Sequence, residues 1–193
     1  MHPTSWHRAL LGSSVLSAVG VLVACGTLQS TPPALLKAAT GASLPQCEAL
    51  VSSLQLPHTR IESAASVAAG AVMQGDKAVP AHCLVKGRMH ERKGSDGRDY
   101  AIGFEMRLPV AWNGRFYYQG NGGLDGNVQA AIGALGGGPL TGALMQGFAV
   151  ISSDAGHSGP QTTVFGLEPQ ARLDYGYQAV EKLTPMAKQL IRG

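Results

Sequence analysis

Charge is scarce in this sequence, and so is sulfur. Only 14% of the 193 residues are charged, the formal net charge is +3, and there are three cysteines. So sparse and scattered a charge offers no electrostatic footprint for nucleic acid. The densest basic stretch, KGRMHERKGSDGR at 86–98, carries its own acids and turn residues and reads as a solvated hairpin. No apolar run reaches the ~18–20 residues of a membrane-spanning helix. No G-K-[ST] occurs, which excludes a P-loop. GNGGLD at 120–125 fails as G-x-G-x-x-G because Asp125 fills the last place. No CxxC or histidine cluster accompanies a cysteine, so zinc ligation lacks its spacing.

What is there is apolar and glycine-rich: 45% hydrophobic residues and 26 glycines, enough for one domain with a real core. Residues 1–24 are a different material. Arg8 precedes ALLGSSVLSAVGVLVA, an apolar run of small residues too short to span, which is the plan of a secretory signal peptide. It ends in LVAC, which resembles a bacterial lipobox. Cleavage before Cys25 and lipidation of its thiol are expected, with export to the bacterial cell envelope and membrane attachment through that lipid. The alternative is a plain secretory signal with an incidental cysteine. Residues 25–43 read as a flexible tether, and 44–193 as the folded domain. Cys47 and Cys83 then remain. In an oxidising compartment an even pair reads as a disulfide, with two buried thiols as the alternative.

Along the domain, CEALVSSL at 47–54 reads as a short helix and 59–70 as a strand. Residues 82–92 place Cys83, Val85, Gly87 and Met89 on one face. YAIGFEMRL at 100–108 alternates strictly, which predicts a strand with one buried face, made of Tyr100, Ile102, Phe104, Met106 and Leu108. The two strands should form an antiparallel hairpin that Pro109 ends. FYY at 116–118 opens another strand. PLTGALMQG at 139–147 predicts a short helix with Pro139 in its first turn. FAVISSD at 148–154, continuously apolar, predicts a central strand, and 155–170 a long loop. The last segment repeats at helical spacing, with Gly176, Val180, Leu183, Ala187, Leu190 and Ile191 on one face and Pro185 expected to kink or split the helix. This order predicts an α/β sheet that begins with antiparallel strands.

Two stretches invite a chemical reading. GHSGP at 156–160 misses the G-x-S-x-G elbow because Pro160 holds the fifth place, and Ser158 lies in mid-loop rather than between strand and helix. Asp154 and His157 then read as loop braces. GRFYYQGNGGLDG at 114–126 is a strand running into a bare loop. Its glycines tolerate positive φ and admit another group close to the backbone. Such a loop can offer N–H groups to an oxyanion, though many plain turns look alike.

FEMRLPVAWNGRFYYQGNGGLDG, GFAVISSDAGHSG and FGLEPQARLDYGYQAV together resemble the tannase/feruloyl esterase family, which includes the mono(hydroxyethyl) terephthalate hydrolases. The resemblance runs from about Cys47 to the C-terminus. It implies an α/β-hydrolase fold, secretion, and hydrolysis of aromatic carboxylic esters by a Ser-His-Asp acyl-enzyme mechanism. It implies a Cys47–Cys83 bond. It places the oxyanion backbone donor on Gly123, with Gly122 beside the substrate. The family's G-C-S-x-G-G elbow, acid, histidine and lid are absent from the sequence, so the chain is expected to be an N-terminal part, inactive alone. It is expected to have no cofactor of its own, the family's structural calcium belonging to the lid. The competing expectation is a lipid-anchored binding or interaction module without chemistry.

Overall fold

A computed structural model describes residues 46–134 and 141–192, all within the unit Leu36–Gly193. Cys25 and Pro139, with the signal-peptide, tether and lipidation readings, lie outside the described residues.

After the short helix α1 (Leu50–Ser53) come strand β1 (Thr59–Val67), a two-residue ribbon of β2 (Met73–Gln74) and β3 (Lys77–Ala78), and the long hairpin of β4 (His82–Lys93) and β5 (Asp99–Pro109). Then follow β6 (Phe116–Gln119), β7 (Ala149–Ser153), and helices α2 (Pro169–Leu173) and α3 (Ala179–Arg192) joined by a π-helical turn, Asp174–Gln178. The main sheet has the order β1-β4-β5-β7-β6. Its first four strands pair antiparallel, and β6 pairs parallel with β7.

The alternation in β4 and β5 does what it predicts. Cys83, Val85 and Met89 face the same core as Ile102, Phe104, Met106 and Leu108. Ala149 and Ile151 of β7 extend that face, and Leu183, Met186, Ala187 and Leu190 of α3 cover it. Each large side chain so removed from water contributes about 1.5–3 kcal/mol. Cys47 and Cys83 are bonded, with Cα atoms 5.6 Å apart, and tie the start of the domain to β4.

Three expectations need correction, and a fourth, at Pro185, is narrowed. β5 is buried on both faces over most of its length, because Gly103, Glu105 and Arg107 lie under the segments around 128–134 and 154. The buried charges are satisfied. Glu105 accepts from Arg107 Nε (2.8 Å) and from Ala131 N (3.0 Å), and Arg107 donates to His82 Nε2 (2.9 Å). His82 Nδ1 meets the Pro80 carbonyl at 2.7 Å, and burial holds the ring neutral by lowering its pKa. The helix expected at 139–147 is, among the described residues, only a 3-10 turn at Leu144–Gln146. On the last helix Gly176 and Val180 are exposed, while Ala179 and Met186 are buried instead. Gly176 lies inside the π-helical turn, which adds a residue to the repeat and breaks the 3.6-residue register there, while Val180, already in α3, sits at the edge of the face that Ala179, Leu183, Met186 and Leu190 bury. Pro185 does not split α3, which runs unbroken through it.

Among the described residues β7 is flanked by β5 and β6, and β6 is the edge of the sheet. All five residues of β7 are buried, as the continuous apolar run requires.

Candidate active site

The parallel strands β6 and β7 end side by side, and the chain leaves β6 into the loop 120–126. Several bonds pin that loop to the end of β7. Asn121 Nδ2 donates to the Ser153 carbonyl (2.7 Å) and lies 3.1 Å from Ser152 Oγ. Gln119, buried at the end of β6, donates to Asn121 Oδ1 (3.1 Å) and the Ala130 carbonyl (3.2 Å), and accepts from Gly133 N (2.8 Å). At the far end Gly126 N donates to the Asp154 carbonyl at 3.1 Å. The backbone between these anchors has positive φ at Gly122 (80°), Gly123 (63°), Asp125 (51°) and Gly126 (86°). Only glycine takes such values without penalty, and Asp tolerates them better than most.

Gly122 and Gly123 are exposed, and a Cβ on either would meet nothing within 4 Å. The Gly122 carbonyl accepts from Asp125 N (3.3 Å), and the Gly123 carbonyl accepts from the Tyr175 hydroxyl (2.8 Å). The Gly123 N–H donates to no group among the described residues. The loop therefore presents a preorganised, uncommitted donor at an open surface.

Asp154 and His157 brace the neighbouring loop by different means. Asp154 Oδ1 accepts from Gly103 N (3.0 Å) and Gly156 N (2.9 Å). Burial nevertheless raises its pKa to about 6, because desolvation outweighs those two bonds. His157 is fully buried and completes no hydrogen bond with either ring nitrogen. It stacks on Phe165, with centroids 3.8 Å apart, and burial lowers its pKa, the Leu124 backbone opposing part of that shift. Bracing by hydrogen bonds holds for Asp154 and is replaced by stacking for His157. Ser158 is spent on capping: its Oγ and N both donate to Gln161 Oε1, at 3.0 and 2.7 Å. With no bond between Ser158 and His157, GHSG has no nucleophile–base pair.

Among the described residues no three His, Cys, Asp or Glu side chains converge as metal ligands. What the structure does bring together is the three sequence blocks: the glycine loop, the Asp154–Ser158 loop, and the Phe165–Tyr175 segment, whose two rings lie 5.1 Å apart. Tyr175 is the residue that strand and loop patterns missed. Its hydroxyl reaches the loop from 52 residues away, and no local spacing signals that contact.

A mixed sheet that starts antiparallel, turns parallel at β6 and β7, carries a helix over one face and ends in a bare glycine loop defines the chain as part of an α/β-hydrolase fold. Residues 83–193 match the family model described as tannase and feruloyl esterase, and the chain belongs to that family. It is 39% identical over 163 residues to the mono(2-hydroxyethyl) terephthalate hydrolase of Piscinibacter sakaiensis, covering 78% of this chain and 27% of that protein. Feruloyl esterase B of Aspergillus niger is 28% identical over 164 residues, covering 82% of this chain and 30% of that protein. The crystal structure of feruloyl esterase B from Aspergillus oryzae shares the fold, with a TM-score of 0.60 at 24% identity over 76% of this chain and 28% of that chain. The chain thus spans less than a third of the length of these relatives.

Proposed function

We propose that this chain supplies the oxyanion half of an exported carboxylic ester hydrolase acting on aromatic esters, and that the nucleophile, base and acid come from residues outside these 193. The observation that carries the reading is the free Gly123 N–H on a loop pinned at both ends beside the end of β7. Ester hydrolysis by a serine passes through a tetrahedral oxyanion, which such a donor stabilises without reorganising. Gly122 lies beside it and leaves room for the acyl group. Aromatic ester substrates are supported by the names of relatives, a terephthalate ester hydrolase and feruloyl esterases. Attachment to the envelope membrane through Cys25 is supported by LVAC directly after the apolar run.

By this reading the 193-residue chain alone does not turn over esters. An oxyanion loop without nucleophile and base cannot start acyl transfer. A chromogenic aromatic ester assay tests it on two proteins, the 193-residue chain and the protein encoded by the complete open reading frame. The expected result is turnover by the second and background from the first. Turnover by the short chain that vanishes in Ser158→Ala would overturn the reading and make GHSG the site.

A further inference from the structure

We propose that Tyr175 is a positioning residue that restrains the Gly123 hinge, and through it the turn that presents the Gly123 N–H to an oxyanion; this rests on the reading of Gly123 just given. Gly123 joins two peptide planes and is the hinge between them. The plane that contains its N–H is held by the carbonyl at its other end, since the Gly122 oxygen accepts from Asp125 N. The plane that follows is held by the Gly123 oxygen, which accepts from the Tyr175 hydroxyl at 2.8 Å. Amide and carbonyl of one peptide point in opposite directions across a rigid plane, so the Asp125 bond fixes the Gly123 N–H, and the Tyr175 bond fixes the next plane, whose turning at the hinge would open the Gly122–Asp125 turn. A glycine with φ of 63° has low barriers to turning either plane over. Among the described residues the Tyr175 bond is the one hydrogen bond from outside the loop that restrains the second plane.

Tyr175 is itself firmly placed. It sits on the π-helical turn Asp174–Gln178, an irregularity often found where a helix serves a site. The turn is anchored by Asp174, buried, with Lys182 Nζ at 2.6 Å, Gln170 Nε2 at 3.0 Å and Arg92 at 3.3 Å. The Tyr175 ring packs at a tilt on Phe165 and edge-on to His157, with centroids 5.1 and 5.9 Å apart. Removing the hydroxyl leaves that aromatic packing in place and frees only the Gly123 carbonyl.

Tyr175→Phe in the protein encoded by the complete reading frame tests this, with Gly123→Val alongside. Turnover of a chromogenic aromatic ester is split into kcat and KM, and amide hydrogen exchange is followed by mass spectrometry on peptides covering 120–126. The expected result is a fall in kcat of about tenfold with KM within about twofold, because misplaced donors lose transition-state binding and not ground-state binding. Exchange should quicken at 120–126 and nowhere else. An unchanged kcat in Tyr175→Phe while Gly123→Val is crippled overturns the role of Tyr175 and leaves that of Gly123 standing. Unchanged kcat in both overturns the reading of Gly123 and this proposal with it. A fall in kcat accompanied by faster exchange throughout the chain shows a merely structural tyrosine and also overturns the proposal.

Discussion

Asp154 lies where a side chain on Gly103 would go. A Cβ on Gly103 would stand 2.5 Å from Asp154 Oδ2 and 3.2 Å from the Val128 side chain. The bare strand is what lets the carboxylate lie against β5 and take the Gly103 N–H. Gly103→Ala should therefore destabilise the domain by about 1–3 kcal/mol, the cost of overpacking a filled site. Urea unfolding of the two proteins measures it. A midpoint unchanged by the substitution would show that the contact is slack.

Asp154 gives a pH signature. Its pKa rises from 3.8 to about 6 on folding, chiefly through burial. A carboxyl with a raised folded pKa favours the folded state when protonated, so stability is lost as pH climbs from about 4 to about 6. Asp154→Asn keeps an oxygen for Gly103 N and Gly156 N but carries no charge. The variant should match the parent near pH 4 and exceed it by about 2–3 kcal/mol at pH 7.5. Unfolding curves at both pH values check this. A variant weaker than the parent at pH 7.5 would mean that the charge is stabilising there.

Reduction is expected to weaken the domain. The Cys47–Cys83 bond closes a loop with a sequence separation of 36, and its removal should cost about 2–4 kcal/mol. Alkylation of native, unreduced protein should leave both cysteines unmodified by mass spectrometry. Two labelled thiols would contradict the bond.

The proposed lipid anchor would rest on Cys25. Cys25→Ser should move the protein from the membrane fraction to the soluble fraction. A mature parent protein whose mass shows an unmodified Cys25, or cleavage elsewhere, would contradict acylation.

The hairpin was legible because period-two alternation in 82–92 and 100–108 needs no knowledge of the rest of the chain. The second buried face of β5 was not. Glu105 and Arg107 look like solvent residues, and their own pairing, with Lys86, His82 and the Ala131 backbone brought in from elsewhere, lets them be buried satisfied. The helix face failed at Gly176 for a similar reason: a π-helical turn changes the period without changing residue type. The glycine loop announced itself by composition, and its place at the end of β6 followed. Its tie to Tyr175 is a tertiary contact with no local mark, so one half of the candidate site could be read and the half that steadies it could not.

The central claim, that the Gly123 N–H serves an oxyanion, is tested most directly by Gly123→Val in the protein encoded by the complete reading frame. Nothing crowds a Cβ at that position, but φ of 63° is strained for a β-branched residue, so the backbone must turn and carry the amide away. Loss of one such donor costs about 10²–10³ in kcat. A fall of that size is expected for a chromogenic aromatic ester, with KM changed far less. Near-normal kcat in a folded Gly123→Val protein would contradict it and move the donor elsewhere.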